Sequence, residues 1–528
     1  MAKQRRDELA AYTFARKRTV AAFLAPSPGG SEEGAPRPVR TVMPSLAVGV
    51  VLVIGFIAWG VIKPAAPKGW DTPGEYIIVD SDSTTRYVIL NDEASNGDKT
   101  KTLHPVLNYA SAKLLLDKGK GSVIEVPGKE IDKSGIPHGA TLGIPYAPDR
   151  LPAKGDAEEE KTWAVCERPA PGSANAIDRA VFVLDTDDAK SVNNSGKVGT
   201  GKALYVANSK TKQEYLIDGK GTRFLLGRPG LDVTTMEKLR AAVIGGEAEP
   251  QSVSPEWLST FNDGGVLTFP TVPGAGNATS VQGLPAEAST VGSVLKANDA
   301  GGERYYVVLK DEIAAITPLV ADLLKLATGA DARDDTVVST SDIIDANGGR
   351  ADTFYQDKGW PQTVLAQANS TDAASGEARS TSCSVYKGGI GADRKPELAA
   401  WAGSAYPKKV IADSLGAYVS SGSGLLFREI VGTEAGGGAV YLLTDTGLRY
   451  SLPTNNDSGA KSSGSASAAS AASGASQGDA SETDKARTRL GYEAVSNSNM
   501  AIVPQTWATF IPKGPMLDTG SAAQPQSQ

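Results

Sequence analysis

Residues Gly196-Lys-Val-Gly-Thr-Gly-Lys202 have the G-x-x-x-x-G-K spacing of a phosphate-binding loop, in which backbone N–H groups and a lysine hold the phosphates of a nucleotide. The next position of that motif needs Ser or Thr, whose hydroxyl binds Mg²⁺; here it is Ala203. A phosphate loop also joins a strand to a helix whose first N–H groups face the ligand. This one follows the polar run Ser191-Val-Asn-Asn-Ser195 and enters Ala203-Leu-Tyr-Val206, which reads as a strand. Val181-Phe-Val-Leu-Asp185 resembles the strand whose terminal Asp supports Mg²⁺, but it precedes the loop instead of following it. Gly196, Gly201, Lys202 and Asp185 are weak nucleotide-site candidates, and a glycine-rich surface turn is the favoured reading.

Other chemistries lack their residues. The chain has no G-x-S-x-G elbow and no H-E-x-x-H helix. Its two histidines, His104 and His138, stand beside Pro or Gly in loop-like sequence and read as surface residues. Carboxylate pairs such as Asp187/Asp188 read as solvated in a chain with 60 Asp+Glu. A net charge of −7 argues against nucleic-acid binding. Two Cys and two His, far apart, exclude a zinc finger, an iron–sulfur site and a disulfide-dense miniprotein. No catalytic residue, metal or cofactor is expected.

The elements around these residues begin with Met43 to Ile62, MPSLAVGVVLVIGFIAWGVI, which carries no charge. A helix of that length is about 30 Å long, the thickness of bilayer hydrocarbon. A core helix would show a polar stripe. A cleaved signal peptide would have a shorter apolar core nearer the N-terminus and a small-residue cleavage site, whereas here 42 residues precede the run. We read 43–62 as a retained transmembrane anchor. Residues 1–42 hold eight basic against four acidic residues, and the part beyond the run holds 45 against 56. Lys/Arg excess marks the cytoplasmic side, so the N-terminus is expected inside and residues 63–528 outside.

The inner segment predicts a helix capped by Asp7 and running to about Leu24, with Leu9, Tyr12, Val20, Phe23 and Leu24 apolar and Arg16, Lys17 and Arg18 basic. Such a helix lies on anionic lipid or docks a cytosolic partner. Arg5, Arg6, Tyr12, Phe14, Arg16, Lys17 and Arg18 are the candidate docking residues. Pro26-Ser-Pro-Gly-Gly begins a tether.

Beyond the anchor one pattern recurs: a β-rich run, a polar turn, then a strand centred on Tyr. Its copies are Tyr76–Asp80 with Arg86–Leu90, Ala203–Val206 with Glu214–Asp218, Ser293–Lys296 with Tyr305–Leu309, and Leu425–Arg428 with Val440–Thr444. Two copies share an exit: Pro255, Trp257, Phe261, Gly264 and Leu267 are echoed by Pro504, Trp507, Phe510, Gly514 and Leu517. The tyrosines Tyr87, Tyr215, Tyr306 and Tyr441 are separated by 128, 91 and 135 residues. Taking 91 as one unit, the two long gaps hold extra segments that join into a central domain. The expected fold is a single-pass membrane protein whose α+β extracytoplasmic region is rich in β, with four repeat domains around a central one. Its boundaries are 63–155 (repeat 1), 156–200 (central, first part), 201–285 (repeat 2), 286–360 (repeat 3), 361–420 (central, second part), 421–517 (repeat 4) and 518–528 (disordered tail). Residues 458–482 are Ser, Ala or Gly at 21 of 25 positions and read as a flexible insertion.

Cys166 lies in the first long gap and Cys383 in the last. Outside the membrane, thiols oxidise and disulfides persist, and one pairing is available. It closes a loop of 217 residues, worth about 5 kcal/mol by chain entropy. Two free buried thiols, or a nucleophilic cysteine, are the alternatives.

Taken together, Arg5-Arg-Asp-Glu-Leu-Ala-Ala-Tyr-Thr-Phe14 with Arg16-Lys-Arg18, the single early span, the four repeats, the cysteine pair and the closing Val503-Pro…Trp507…Phe510-Ile-Pro-Lys-Gly-Pro515 resemble one family. It is EccB, the membrane core component of the type VII (ESX) secretion system of actinobacteria. The resemblance implies repeats like phage-lysin cell-wall-binding modules. It also implies the partners EccC (the motor ATPase), EccD and EccE, a mycosin protease outside, and assembly as a homodimer or higher oligomer. Some members are labelled ATPases, a label that Ala203 does not support. Three functions follow in order: a structural subunit of the secretion channel, a cell-wall-binding anchor, and an extracytoplasmic ATPase.

Overall fold

The computed structural model describes residues 2–24, 39–62, 66–93, 99–171, 173–299, 302–327, 336–346, 352–370, 378–410, 417–432, 438–453, 481–493 and 500–526. The first helix is Ala2–Leu24. It starts before the expected Asp7 cap, because Ala2 to Arg6 are strong helix formers and extend it past that residue. A second helix runs Val39–Ile62. Among the described residues no helix is long and apolar enough to cross a membrane; the side chains described on this helix are those of 42–57, every one exposed.

The rest is mixed α/β and rich in sheet. Four of the five sheets follow one plan. A first strand pairs antiparallel with a second, and the second with a third; a fourth lies parallel to the first, and a fifth segment lies parallel to the third. In the second unit these are Lys202–Asn208, Glu214–Asp218, Thr222–Leu226, Gln251–Val253 and Asn262–Leu267. In the third they are Val294–Asp299, Gly302–Val308, Ile313–Ile316, Thr336–Val338 and Asp352–Thr353. The first and fourth units replace the fifth strand by isolated parallel bridges, Leu103 to His138 and Val106 to Leu142 in the first and Arg449 to Lys513 in the fourth. The hairpins read from the sequence are the first two strands of each sheet.

A parallel return needs a crossover, usually a helix, and each unit has one after its third strand: Tyr109–Leu115, Val233–Val243, Pro318–Ala327 and Glu482–Arg489. A short helix also follows each fourth strand, among them Pro255–Leu258 and Gln505–Ala508. The first hairpin turn is the same in two units. Asp80 Oδ1 accepts the N–H of Asp82 at 2.9 Å, and Asn208 Oδ1 accepts that of Lys210 at 2.9 Å. Thr84 and Lys212 then both take φ of +60°.

The fifth sheet is woven from two distant segments. Its strands are Pro396–Gly403, Thr381–Ile390, Thr162–Ala170, Ser173–Leu184 and Tyr418–Val419, in that spatial order. The cores pair the units around it. Units one and four share one core, where Ala110, Leu114 and Ile144 meet Leu426, Tyr450 and Leu490. Units two and three share another, where Tyr205, Phe224 and Leu239 meet Val307, Leu319 and Leu323.

Three boundaries differ from expectation. Residues 518–528 are not a loose tail as far as they are described: Asp518 caps helix Thr519–Ala522, Ala522 is fully buried, and the N–H of Gln526 reaches Thr141 O at 2.9 Å. The C-terminus is held because Ala522 fills the core shared by units one and four. The Ser/Ala/Gly run lies outside the described residues as far as 480, but its last two residues, Ser481 and Glu482, cap and begin a helix. Ala366–Gln367, read as central, instead pairs with Lys202–Ala203 of the second unit.

A Cβ at Gly264 would stand 2.5 Å from the Phe224 ring and 2.7 Å from Thr222 Cγ2. The ring is buried and cannot yield, so Gly264→Ala is expected to cost about 2 kcal/mol by overpacking. Gly155→Ala, in open space, should stay within about 0.5 kcal/mol of the parent. Urea unfolding followed by tryptophan fluorescence reads both.

Candidate functional site

The structure places Cys166 and Cys383 directly opposite on neighbouring antiparallel strands, with Cα atoms 4.0 Å apart, and joins them in a disulfide. Both are fully buried, which leaves neither as an exposed nucleophile. Period-2 alternation sends the neighbours of Cys166 to the opposite face, where Trp163 and Val165 enter a core with Trp257 and Trp507. These two tryptophans are the ones that recur in the sequence exits.

Each is held differently. Trp257 Nε1 donates to Val165 O at 2.8 Å. Its helix is capped by Ser254, whose hydroxyl also donates to Glu167 Oε1 at 2.6 Å. Glu167 is fully buried and accepts the Ser254 N–H and the Arg179 guanidinium, each at 2.8 Å. A buried carboxylate is tolerable only when paired and hydrogen-bonded in this way. On the Trp507 side, Tyr386 Oη donates to Ile502 O at 2.5 Å and its ring lies 5.6 Å from that of Trp507. Burial, then the charges of Glu160 and Glu397, push the Tyr386 hydroxyl well above its ordinary range, so it stays a donor.

Asp188 is a second junction. Its carboxylate pairs with Lys408 and accepts Tyr418 Oη at 2.9 Å and Ser420 Oγ at 2.7 Å, drawing these three residues onto the 3₁₀ turn Asp188–Ser191. Burial and Asp188 together push the Tyr418 hydroxyl up to about 12. Sequence reasoning took Asp188 as solvated beside Asp187. Only Asp187 is, being exposed and paired with Lys190 at 2.6 Å; the partners of Asp188 lie 220 and more residues away, with no local signal.

The glycine-rich loop is a sheet edge. Val198 N–H donates to Ala400 O at 2.9 Å, Ala402 N–H donates to Gly196 O at 2.8 Å, and Lys197 bridges Trp401 antiparallel. Gly196 is required because any Cβ there would strike the Trp401 indole. The N–H of Gly196 goes to Asn194 Oδ1 at 2.8 Å and that of Lys197 to Asn194 O at 3.1 Å. Gly201 takes φ of +75°, and Lys202 opens a strand with an exposed side chain. Asp185 Oδ1 caps the next turn through the Asp188 N–H at 2.8 Å. The four candidate nucleotide residues therefore do not build a phosphate cradle.

His104 corrects another expectation. It is buried, with Nδ1 2.8 Å from Ala140 O and Nε2 2.8 Å from Asp92 Oδ2. His138 is exposed, edge-on to Tyr87 at 5.9 Å. Arg5, Arg6, Tyr12, Phe14, Arg16, Lys17 and Arg18 all lie exposed on the first helix. Arg16, seven residues after Leu9 and four after Tyr12, stands in the same stripe as those apolar side chains at 3.6 residues per turn.

These features define a sheet-rich α/β protein organised around one disulfide-linked sheet, without a recognisable catalytic centre among the described residues, and comparison with known proteins specifies the family. The family model described as "Type VII secretion system ESX-1, transport TM domain B" matches residues 2–527, and the chain belongs to that family. "ESX-3 secretion system ATPase EccB3" of Mycolicibacterium smegmatis is 27% identical over 449 residues, 80% of this chain and 77% of that one. "ESX-5 secretion system ATPase EccB5" of Mycobacterium marinum is 27% identical over 326 residues, 61% of this chain and 59% of that one. The fold is similar to a chain in "Structure of an intact ESX-5 inner membrane complex", with TM-score 0.59, 19% identity and coverage of 99% of this chain and 95% of that one. It is also similar to "EccB3 dimer from the ESX-3 core complex", with TM-score 0.57, 22% identity and coverage of 85% and 99%.

Asp188→Asn is expected to cost about 2 kcal/mol near neutral pH, since three donors lose a charged acceptor. Burial raises the Asp188 pKa, but the hydrogen bonds from Lys408, Ser420 and Tyr418 outweigh it and hold it below 3.8. A depressed carboxylate stabilises the fold fully above its unfolded pKa and loses that as pH falls through the folded one. The melting difference between parent and variant should be full at about pH 6 and close below about pH 3.8.

Proposed function

We infer that this chain is a structural subunit of the type VII secretion membrane complex, anchoring and scaffolding the channel for protein export. The observation that carries this is the family match over residues 2–527, together with a shared fold along 99% of the chain. The finer organisation is our proposal. Residues 43–62 form one transmembrane anchor: they lie in a continuous helix, carry no charge, and include Leu46, Val51, Ile54 and Phe56 exposed at 59–77% of their surface, a run that needs an apolar medium. The basic excess before it sets the N-terminus in the cytoplasm, and the bulk works outside. The four sheets, with one strand plan, are four repeats of one module around the central sheet, within the boundaries given above.

Arg16 within the apolar stripe of the first helix favours a protein partner over a flat lipid surface, because a charge there cannot enter the acyl boundary. We assign Arg5, Arg6, Tyr12, Phe14, Arg16, Lys17 and Arg18 to docking the cytosolic machine. EccC, EccD and EccE inside the complex, a mycosin protease outside, and self-association as a dimer or higher oligomer are the partners this reading implies. Removing residues 1–40 should leave the exterior folded and abolish co-purification of the motor from membranes. Retention of the motor by the truncated chain sinks the docking assignment.

The relatives' names carry "ATPase", and a direct assay separates that activity from scaffolding. The purified chain should hydrolyse ATP no faster than a blank, with Lys202→Ala unchanged from the parent. Hydrolysis abolished by Lys202→Ala would establish the enzymatic reading instead.

A further inference from the structure

A cleft of about 1300 Å³ opens where the second unit, the third unit and the central sheet meet. Cations reach it from four separate segments. Lys197 and Lys202 come from the glycine-rich loop, Lys220 from the turn after Glu214–Asp218, Arg304 from strand Gly302–Val308, and Lys387 from strand Thr381–Ile390. Two carboxylates also line it, against these five cations, and neither forms an ion pair with any of the four lysines among the described residues. Glu303 pairs with Lys296 at 2.7 Å, and Asp218 accepts the backbone N–H groups of Lys220 and Thr222 at 2.9 and 2.8 Å. The side chains of Lys197, Lys202, Lys220 and Lys387 are exposed and enter no ion pair among the described residues. A concave surface of one sign concentrates ligands of the other, and this one is positive on a chain of net charge −7.

We propose that this cleft binds an acidic peptide segment in extended form, a role beyond the scaffold reading and independent of it. A mononucleotide is a poor match, because the N–H groups of Gly196, Lys197, Val198 and Lys202 are spent within the protein and the loop enters the strand Lys202–Asn208 instead of the helix whose first N–H groups would hold a dense phosphate group. A sugar chain would need free ring faces. The Tyr305 ring is met by Lys296 and Lys325, each 5.9 Å away, and Tyr355 packs against Phe354 and Trp360 at 4.7 and 4.9 Å. What the cleft offers is spaced point charges on long stems, with Thr200, Thr317 and Gln362 between them. These suit carboxylates recurring along a flexible chain whose backbone needs polar partners.

The test uses the purified full-length chain and a fluorescein-labelled ten-residue Asp/Glu peptide, read by anisotropy. Binding should weaken at least about tenfold between about 50 and 300 mM NaCl, as screening shortens the reach of the lysines. The double variant Lys202→Glu/Lys387→Glu should weaken it at least about tenfold at low salt, while Lys133→Glu, exposed elsewhere, leaves it unchanged. No binding at low salt, equal binding by the double variant, or tighter binding of ATP or an oligogalacturonate than of the peptide overturns the proposal. None of these results bears on co-purification with the membrane complex, so the two readings fail separately.

Discussion

The pairing of Thr162–Ala170 with Thr381–Ile390 is the contact on which the arrangement of the five sheets depends. It closes a loop of 217 residues between Cys166 and Cys383, and closing so long a loop costs about 3 kcal/mol more than closing one of ten residues. Ladder hydrogen bonds between two strands do not guarantee that pairing; burial on both faces and the covalent link do. Once it exists, the second and third units form an excursion tied at both ends, while the first and fourth lie outside the loop. The two shared cores match this division, one inside the loop and one outside. A unit that cannot bury its own apolar surface finds its partner by where the loop leaves it.

The hairpins were legible because strands of Tyr, Val, Ile and Leu separated by Asp, Ser and Lys have a periodicity that does not depend on the rest of the chain. The central sheet was legible only through arithmetic, from the two long intervals and a cysteine in each. Neither signal reaches the parallel returns. Gln251–Val253 and Thr336–Val338 are three residues long, too short for a pattern, and exist because a preceding helix delivers them to an open edge. The same limit hid His104, whose partners Asp92 and Ala140 come from other strands and loops, and Asp188, whose partners Tyr418 and Ser420 lie on and beside the neighbouring edge strand, 230 and 232 residues on in sequence. The phosphate-loop resemblance failed for a related reason. A motif counts spacing, whereas the chemistry needs a helix after the loop, and Lys202–Asn208 is a strand.

Four sheets of one strand plan on one chain raise a problem of address: either tryptophan exit could dock on either side of the central sheet. The two exits differ in their polar contacts. Ser254 supplies a hydroxyl and an N–H to buried Glu167. The residue capping the corresponding helix of the fourth unit is Pro504, which makes no side-chain cap and has no hydroxyl or N–H to offer. A fourth unit placed on the Glu167 side would leave the carboxylate its Arg179 partner but deprive it of the Ser254 hydroxyl and N–H, at a cost of about 1.5–3 kcal/mol for each lost hydrogen bond to a charged group. Correct placement gains little over an apolar contact, since the desolvation of Glu167 is offset rather than exceeded. The Ser254 hydrogen bonds to Glu167 therefore act through the arrangements their loss penalises. A shared apolar feature, the tryptophan, drives docking on both sides, and a single polar difference decides which module goes where.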